Sequence, residues 1–248
     1  MYEPRCYRNI MGKRFRSLTC SYLETDLWIA FDVNNSIPDK SILDYTLKKI
    51  IELRQLFEDY FILHPDYKTS LKPLQALVEA PKIIKGLADN SLRSGVGPMA
   101  GIAGAFAEEI ALSLKKEFHF NEIIVENGGD IFLDIKEKVT VSLYAGSHPL
   151  SNKVNLLIEP SFSPLGLCAS SGQFGHSFSK GKADLVAVAS KDAVWADQLA
   201  TFFANMIKKP SDIQHAMDHS EKFPDILHLS VFANREFAIK GSILIKNV

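Results

Sequence analysis

The sequence predicts an α+β fold in which helices cover one mixed β-sheet around a single core. Two strand-like runs open the chain, a long amphipathic helix follows, and the chain after residue 122 is rich in strands before two further helices. Helices and strands are therefore partly segregated. At 248 residues the chain is long enough for one sizeable core, and no shift in composition marks a boundary. We expect one domain over residues 1–248.

The composition is that of a globular protein without a charge bias. Hydrophobic residues make up 46% and charged residues 23%, and 28 Lys and Arg against 29 Asp and Glu leave a net charge of −1. This balance does not indicate a nucleic-acid or membrane partner. No apolar run approaches the roughly 18 residues of a spanning helix, and we expect a cytoplasmic protein. The three cysteines, Cys6, Cys20 and Cys168, are too scattered for a disulfide framework.

The first half of the chain contains an opening hairpin and two helices. β-Branched and aromatic residues flank the polar break Glu24-Thr25-Asp26, and apolar residues then recur at helical spacing until a proline follows His64. The predicted elements are strands Phe15–Leu23 and Leu27–Val33, a helix from Asp39 to His64, a connection over Leu63–Lys72 and a helix around Ala80–Asn90.

The second half supplies most of the predicted central sheet. Its strands are separated by Gly, Pro, Asn or Ser clusters: Ile123–Val125, Ile131–Ile135, Val139–Ala145, Val154–Glu159, Leu165–Ala169 and Asp184–Ser190. A helix from Asp192 to Lys208 and another after Pro210 follow, and Leu227–Phe232 and Ser242–Ile245 return to strand character.

Four segments that are rich in glycine or in polar residues contain the candidate functional residues. The first is the glycine-rich stretch Ser94–Ala105. Pro98 suits a first helical position, so a helix N-terminus is expected here. Its exposed amides are able to hold an anion, and the small side chains at positions 100, 101, 103, 104 and 105 allow a ligand or another backbone to come close. We expect Gly97, Pro98, Met99 and Ala100 to bind the ligand. The alternative is that these small residues only allow tight helix packing.

The second segment is Asn127-Gly128-Gly129-Asp130, which lies between two strand-like runs. The glycine pair indicates a tight hairpin turn. Asn127 and Asp130 then present polar side chains at the rim of the sheet, and Gly128 and Gly129 allow a phosphate or ribose close to the backbone. The simpler interpretation is a turn without a ligand.

The third segment, Cys168–Ser177, runs from a strand end into hydroxyls, glycines and a histidine. Ser170, Ser171 and Gly172 are candidates for polar ligand recognition, and His176 for proton transfer. A nucleophilic Cys168/His176 pair is a further hypothesis, which competes with an inert buried cysteine.

The fourth segment is Ala196–Thr201, within a predicted helix. Asp197 and Thr201 are four residues apart and therefore lie on one helix face. A carboxylate and a hydroxyl supply part of an octahedral Mg²⁺ site whose remaining ligands come from water and phosphate oxygens. The alternative is an Asp–Thr pair that faces solvent.

Together, the four segments resemble the ApbE-like superfamily. Its transferases carry an Asn-x-Gly-Gly-Asp turn and a helix with Ala-Asp-Ala-x-x-Thr, which match residues 127–130 and 196–201 here. The similarity is greater to the uncharacterised branch, the UPF 0280 family. That branch carries Gly-Val-Gly-Pro-Met-Ala, Glu-Asn-Gly-Gly-Asp-Ile and Ser-Ser-Gly-x-x-Gly-His-Ser, all of which are present, and the likeness also covers Tyr2-Glu3-Pro4-Arg5 and His64-Pro65.

This resemblance implies a T-fold-related sheet covered by helices and a role for a flavin. ApbE enzymes are Mg²⁺-dependent FAD:protein FMN transferases, so the implied ligands are Mg²⁺ and FAD or FMN, with a small-molecule phosphate ligand, a protein acceptor and a homo-oligomer as partners. It assigns Asp197 and Thr201 to the metal, Asn127 and Asp130 to the ligand-side turn, and His176 with Asp197 to catalysis.

The chain departs from the transferases after the serine-glycine turn. Where they carry His-x-x-Asp-Pro-x-Thr-Gly, residues 176–182 read His-Ser-Phe-Ser-Lys-Gly-Lys. The resemblance therefore supports the ligand class better than the reaction. Two alternatives remain: a non-catalytic protein that binds a metabolite or partner in support of sulfur or homocysteine metabolism, and a Cys168-dependent sulfur or acyl transfer enzyme.

Overall fold

A computed structural model describes residues 14–32, 37–172 and 181–247. The helices are α1 Asp39–Leu63, α2 Pro65–Thr69, α3 Lys82–Ser94, α4 Ile102–Phe118, α5 Ala193–Met206 and α6 Asp212–His219. The strands are β1 Phe15–Tyr22, β2 Thr25–Asp32, β3 Ile123–Asn127, β4 Asp130–Asp134, β5 Val139–Ser142, β6 Val154–Ile158, β7 Leu165–Ser170, β8 Leu185–Ser190, β9 His228–Ala233, β10 Glu236–Gly241 and β11 Leu244–Asn247.

Eight strands form one large sheet in the order β1-β2-β3-β4-β7-β8-β9-β10, and β11-β6-β5 form a second, smaller sheet. The predicted α+β class is confirmed, but the described strands pair antiparallel rather than in a mixed pattern. The runs at Val139–Ala145 and Val154–Glu159 were expected in the central sheet and belong to the second one. They leave it because their apolar residues cover the face of the large sheet opposite the helices.

The large sheet is buried on both faces. Ile29 and Phe31 of β2 face the core under the helices, whereas Trp28 and Ala30 face the small sheet. Successive residues of a strand point to opposite faces, so a strand covered on both sides has an almost continuous apolar sequence. This explains the uninterrupted apolar runs of β2 and β8.

Helix α1 follows the predicted bounds closely. Apolar residues spaced by one or two turns, including Ile42, Ile50 and Phe57, are buried against the core. The region after it differs from the expected connection, because Pro65 occupies the first turn of the short helix α2. A proline is favourable there, since the first-turn amide has no intrahelical partner.

The start of α4 and one strand also differ from the prediction. Pro98 begins a 3₁₀ turn, Pro98–Gly101, and α4 starts only at Ile102. The strand β10 was not predicted, and it forms a hairpin with β9 through Asn234 and Arg235, both at positive φ. No helix among the described residues combines the length and the apolar content needed to cross a bilayer.

Candidate functional site

The first and fourth segments meet where α4 and α5 pack together. Asp197 on α5 is 6% exposed, and its Oδ2 accepts the N–H of Gly104 in the first turn of α4 at 2.9 Å. The amide of Ala103 donates to the same carboxyl group. Both amides lack partners within their own helix, because they lie in its first turn. Asp197 therefore caps α4 from a different helix.

Glycine makes this close approach possible. A Cβ at Gly104 would lie 2.5 Å from the carbonyl oxygen of Ala193 and 3.1 Å from Cβ of Asp197, and a Cβ at Gly101 would lie 2.9 Å from Cγ of Gln198. Tight helix packing, one of the two interpretations of this segment, is thus present at both positions. The group that the first turn of α4 holds is the carboxyl group of Asp197.

Gln198 holds the loop before α4 in place, and its role was not predicted from the sequence. Its fully buried amide donates to the carbonyl oxygens of Leu87 at 2.9 Å and Pro98 at 3.1 Å, and its Oε1 accepts the hydroxyl of Ser94 at 3.2 Å. The predicted ligand-binding residues Gly97–Ala100 lie at this loop. In the sequence, the one indication of this role is that Gln198 directly follows Asp197.

The second segment is joined to the first by a side chain. Gly128 and Gly129, with φ of 71° and 106°, form the predicted tight turn between β3 and β4. Asn127 donates its amide N–H to the carbonyl oxygen of Ala103 at 3.2 Å. On the other side of the turn, Oδ1 of Asp130 accepts the N–H of Ala169 at 3.1 Å, which joins the turn to β7.

The third segment begins in β7, and this strand packs against helix α5. Gly166, Cys168 and Ser170 alternate onto the helix-covered face, where Gly166 abuts Ala193 and the thiol of Cys168 donates to the carbonyl oxygen of Ala193 at 3.4 Å. Ser170 is 2% exposed, and within the residues that the structure describes its hydroxyl has no hydrogen-bond partner. A buried hydroxyl of this kind is able to donate a hydrogen bond to a ligand oxygen.

The remaining predicted residues differ in their burial, and one of them lies outside the described residues. Ser171 is half-buried, and Gly172 is packed against the backbone of Gly181. Thr201, 7% exposed, lies one turn after Asp197 on α5. His176 lies outside the described residues. The described parts of the four segments therefore meet around the start of α4. Asp197 joins α5 to α4, Asn127 joins its turn to α4, and Asp130 joins the same turn to β7.

Two buried carboxyl groups dominate the electrostatics. Burial, and secondly the charge of Asp130, hold the pKa of Asp197 well above its usual range, against the lowering effect of the Gly104 and Ala103 amides. Burial and both carboxylates also raise the pKa of the Cys168 thiol. A nucleophilic cysteine needs the opposite shift. The geometry therefore favours an inert Cys168 over the Cys168/His176 hypothesis.

Glu108 is a second residue that the sequence did not reveal. It lies one turn after Gly104 on α4, and its Oε2 accepts the N–H of Ala193 at 2.9 Å in the first turn of α5. Burial raises the pKa of Glu108 to about 7. Each helix thus caps the other: Asp197 holds the start of α4, and Glu108 holds the start of α5.

The donor set is suited to a hard cation. Carboxylate and hydroxyl oxygens of Asp197 and Thr201 are ligand types that Mg²⁺ prefers, and this ion usually uses one or two carboxylates with phosphate oxygens and water. No group of three His, Cys, Asp or Glu side chains that would hold a metal alone is found within residues 14–32, 37–172 and 181–247. The residues present therefore fit a cation that arrives with its ligand.

Comparisons with known proteins agree with the motifs. A family model described as AbpE bacteria matches residues 8–225. A UPF0280 protein from Methanothermobacter thermautotrophicus is 40% identical over 173 residues, 68% of this chain and 66% of that relative. A UPF0280 protein from Methanopyrus kandleri is 34% identical over 220 residues, 86% of this chain and 85% of that relative.

Solved structures share the fold at low sequence identity. The apo form of the flavinyl transferase ApbE from Pseudomonas stutzeri matches with a TM-score of 0.58 and 11% identity, over 93% of this chain and 95% of that one. The ApbE protein from Thermotoga maritima matches with a TM-score of 0.61 and 13% identity, over 92% and 97%. At these identities the likeness establishes the fold alone.

Proposed function

Because the chain belongs to the family described as AbpE bacteria, we propose that it binds a flavin or nucleotide phosphate ligand together with a divalent cation. One observation carries the proposal. The buried carboxylate of Asp197 lies opposite a second carboxylate, Asp130, at the point where four motif-bearing segments meet. Two neighbouring buried carboxyl groups repel each other when both are charged, so a bound cation gives a physical reason for holding them close together.

In this proposal Asp197 and Thr201 hold Mg²⁺. When bound, the cation neutralises the negative charge of a diphosphate and polarises a phosphoryl oxygen. The loop Gly97–Ala100, fixed by Gln198, and the turn Asn127–Asp130 form the walls for the ligand. Gln198 holds the loop through the Pro98 carbonyl and Asn127 holds the turn through the Ala103 carbonyl, so hydrogen bonds within the protein fix both walls.

Ser170, Ser171 and Gly172 are proposed to face the phosphate side of the ligand. The buried hydroxyl of Ser170 has no partner among the described residues, and a phosphate oxygen would accept a hydrogen bond from it. His176 is proposed as the proton-transfer residue on the basis of the family motif. Its mutation tests catalysis separately from binding.

Transfer of FMN from FAD to a protein acceptor is the proposed reaction, since flavin transfer is the activity named for the related solved ApbE structures. The sequence over residues 177–182 lacks the Asp-Pro-x-Thr-Gly portion of the transferases. That departure favours the second candidate, a protein that binds the ligand without turning it over. The two candidates share the site and differ only in the fate of FAD.

The test is calorimetric titration of FAD and FMN into the purified chain, with Mg²⁺ and with EDTA. The proposal expects binding with Mg²⁺ that is lost with EDTA and weakened in Asp197→Asn, with a smaller loss in Thr201→Val. Asp184→Asn is the matched control, because Asp184 is also a buried carboxylate and accepts the N–H of Asn234 at 3.0 Å, away from this site.

Equal affinity in wild type and Asp197→Asn, or flavin binding unaffected by EDTA, would contradict the cation site. Incubation of the wild type with FAD, followed by chromatography for AMP and mass analysis of candidate acceptors, separates the transferase from the binding protein. AMP release that depends on Mg²⁺ and on His176 supports transfer. Intact FAD after prolonged incubation supports binding alone.

A further inference from the structure

A pair of histidines on α6 lies apart from the site described above. His215 and His219 are four residues apart, and their ring centroids are 5.9 Å apart at an interplanar angle of 73°. Residues at this spacing lie on the same face of a helix, one turn from each other. We propose that His215 and His219 form a bidentate site for a divalent transition metal of the Zn²⁺, Ni²⁺ or Cu²⁺ type.

The distance between the rings fits one shared ion. A metal bound at about 2.0–2.1 Å from an imidazole nitrogen lies about 3.2 Å from the ring centroid, so two rings on one ion have centroids no more than about 6.4 Å apart. The observed 5.9 Å is within that limit. The spacing of the two rings on α6 is therefore compatible with one shared ion.

The two rings differ in how firmly they are held. His219 is half-buried and packs against Phe202 at 5.5 Å and Phe223 at 6.0 Å between centroids. His215 is exposed. One ligand is thus fixed in advance while the other is free to close onto the ion, which reduces the entropy lost on binding.

The charges around the pair are mixed. Asp212 lies within electrostatic reach of His215, and Lys222 lies within reach of His219. Partial burial, the charge of Lys222 and His215 lower the pKa of His219. Metal binding requires neutral imidazole, and the lowered pKa of His219 favours that form.

Donor chemistry separates this site from the one at Asp197. Imidazole nitrogen favours Zn²⁺, Ni²⁺ and Cu²⁺, whereas Mg²⁺ prefers oxygen ligands. No third His, Cys, Asp or Glu side chain completes the pair in the described part of the chain, so water fills the remaining positions. An excess of Mg²⁺ should therefore not displace the transition metal.

The experiment is titration of Ni²⁺ and Zn²⁺ into the full chain at neutral pH, followed by calorimetry, for wild type, His215→Gln and His219→Gln. Loss of even an outer partner of a metal ligand typically costs 10–100-fold in affinity, so loss of a ligand should weaken binding at least about tenfold. His119→Asn is the control, since His119 is exposed at the end of α4, and asparagine tolerates its φ of 55°.

The proposal is supported if both glutamine variants bind at least about tenfold more weakly than wild type and His119→Asn, with excess Mg²⁺ present. It is overturned if His215→Gln binds as tightly as wild type, or if wild type binds neither metal. His215 is exposed, so its variant remains folded and keeps the test valid even if His219→Gln disturbs the aromatic cluster around Phe202.

Discussion

The substitution Glu108→Gln should make the protein more stable at alkaline pH than the wild type. Glu108 accepts the N–H of Ala193, and its burial raises its pKa from 4.5 to about 7, with Asp192 adding to the shift. The difference corresponds to about 3 kcal/mol of unfolding free energy, at roughly 1.4 kcal/mol for each pH unit. Because Glu108 keeps some contact with solvent, screening reduces this figure, and we expect about 1–2 kcal/mol.

The sign follows from proton linkage. The folded state holds the proton of Glu108 more tightly than the unfolded chain, so its contribution to stability is complete below about pH 4.5 and is lost as pH rises through about 7. Glutamine carries no proton to lose, and its carbonyl oxygen still accepts the N–H of Ala193. The variant should therefore match the wild type near pH 5 and exceed it above pH 8.

Urea unfolding at a series of pH values, followed by the fluorescence of the buried Trp28 and Trp195, measures the difference. Glu117→Gln is the control, since Glu117 is an exposed carboxylate on the same helix. A stability difference between Glu108→Gln and wild type that stays constant with pH, or that shrinks as pH rises, would refute the reasoning.

Three further substitutions test the contacts around α5. Asp197→Asn should weaken Mg²⁺-dependent flavin binding about tenfold or more while leaving the thermal midpoint without ligand nearly unchanged, because the amide still accepts from Gly104; calorimetry and thermal scans check both. Gly104→Ala should cost about 1–3 kcal/mol in urea unfolding, since its Cβ would lie 2.5 Å from the Ala193 oxygen, whereas Gly86→Ala, with open space around it, should cost nothing or stabilise slightly. Cys168 should resist alkylation at pH 8 in the folded chain and react on unfolding, as peptide mapping would show; fast labelling of the native protein would restore the nucleophile hypothesis.

The sequence predicted the elements that depend on short-range patterns, such as turn residues and the spacing of apolar residues. The turn Gly128-Gly129, the long helix α1 and the opening hairpin all follow from turn chemistry and periodicity, and the structure confirms them. The choice of sheet for β5 and β6 was not predictable in this way. Alternating apolar residues indicate that a strand has one buried face. They do not identify the element that covers this face, because that element lies elsewhere in the chain.

The candidate site shows the same division. The i,i+4 spacing placed Asp197 and Thr201 on one face of a helix, and the structure confirms that helix. The role of Glu108 was hidden, because a glutamate on an amphipathic helix is typical of a solvated position. Its contact with Ala193 exists only because Gly104 lets two helices from distant parts of the chain approach closely.

The capping of α4 by Asp197 constrains how an anionic ligand can bind. Helix N-termini commonly hold phosphate through free first-turn amides. Here the amides of Ala103 and Gly104 already donate to the carboxylate of Asp197. A phosphate at this position would meet the carboxyl group of Asp197, which repels it when charged, instead of free N–H groups.

A cation between the carboxylate and the phosphate reverses that repulsion. In the proposed site the positive end of α4 would stabilise Asp197 in its charged form, and charged Asp197 would hold the cation that attracts the phosphate. Helix, carboxylate, cation and phosphate would then form an alternating series of charges. Flavin binding at this site should therefore depend on the cation itself, and added salt without a divalent ion should not replace it.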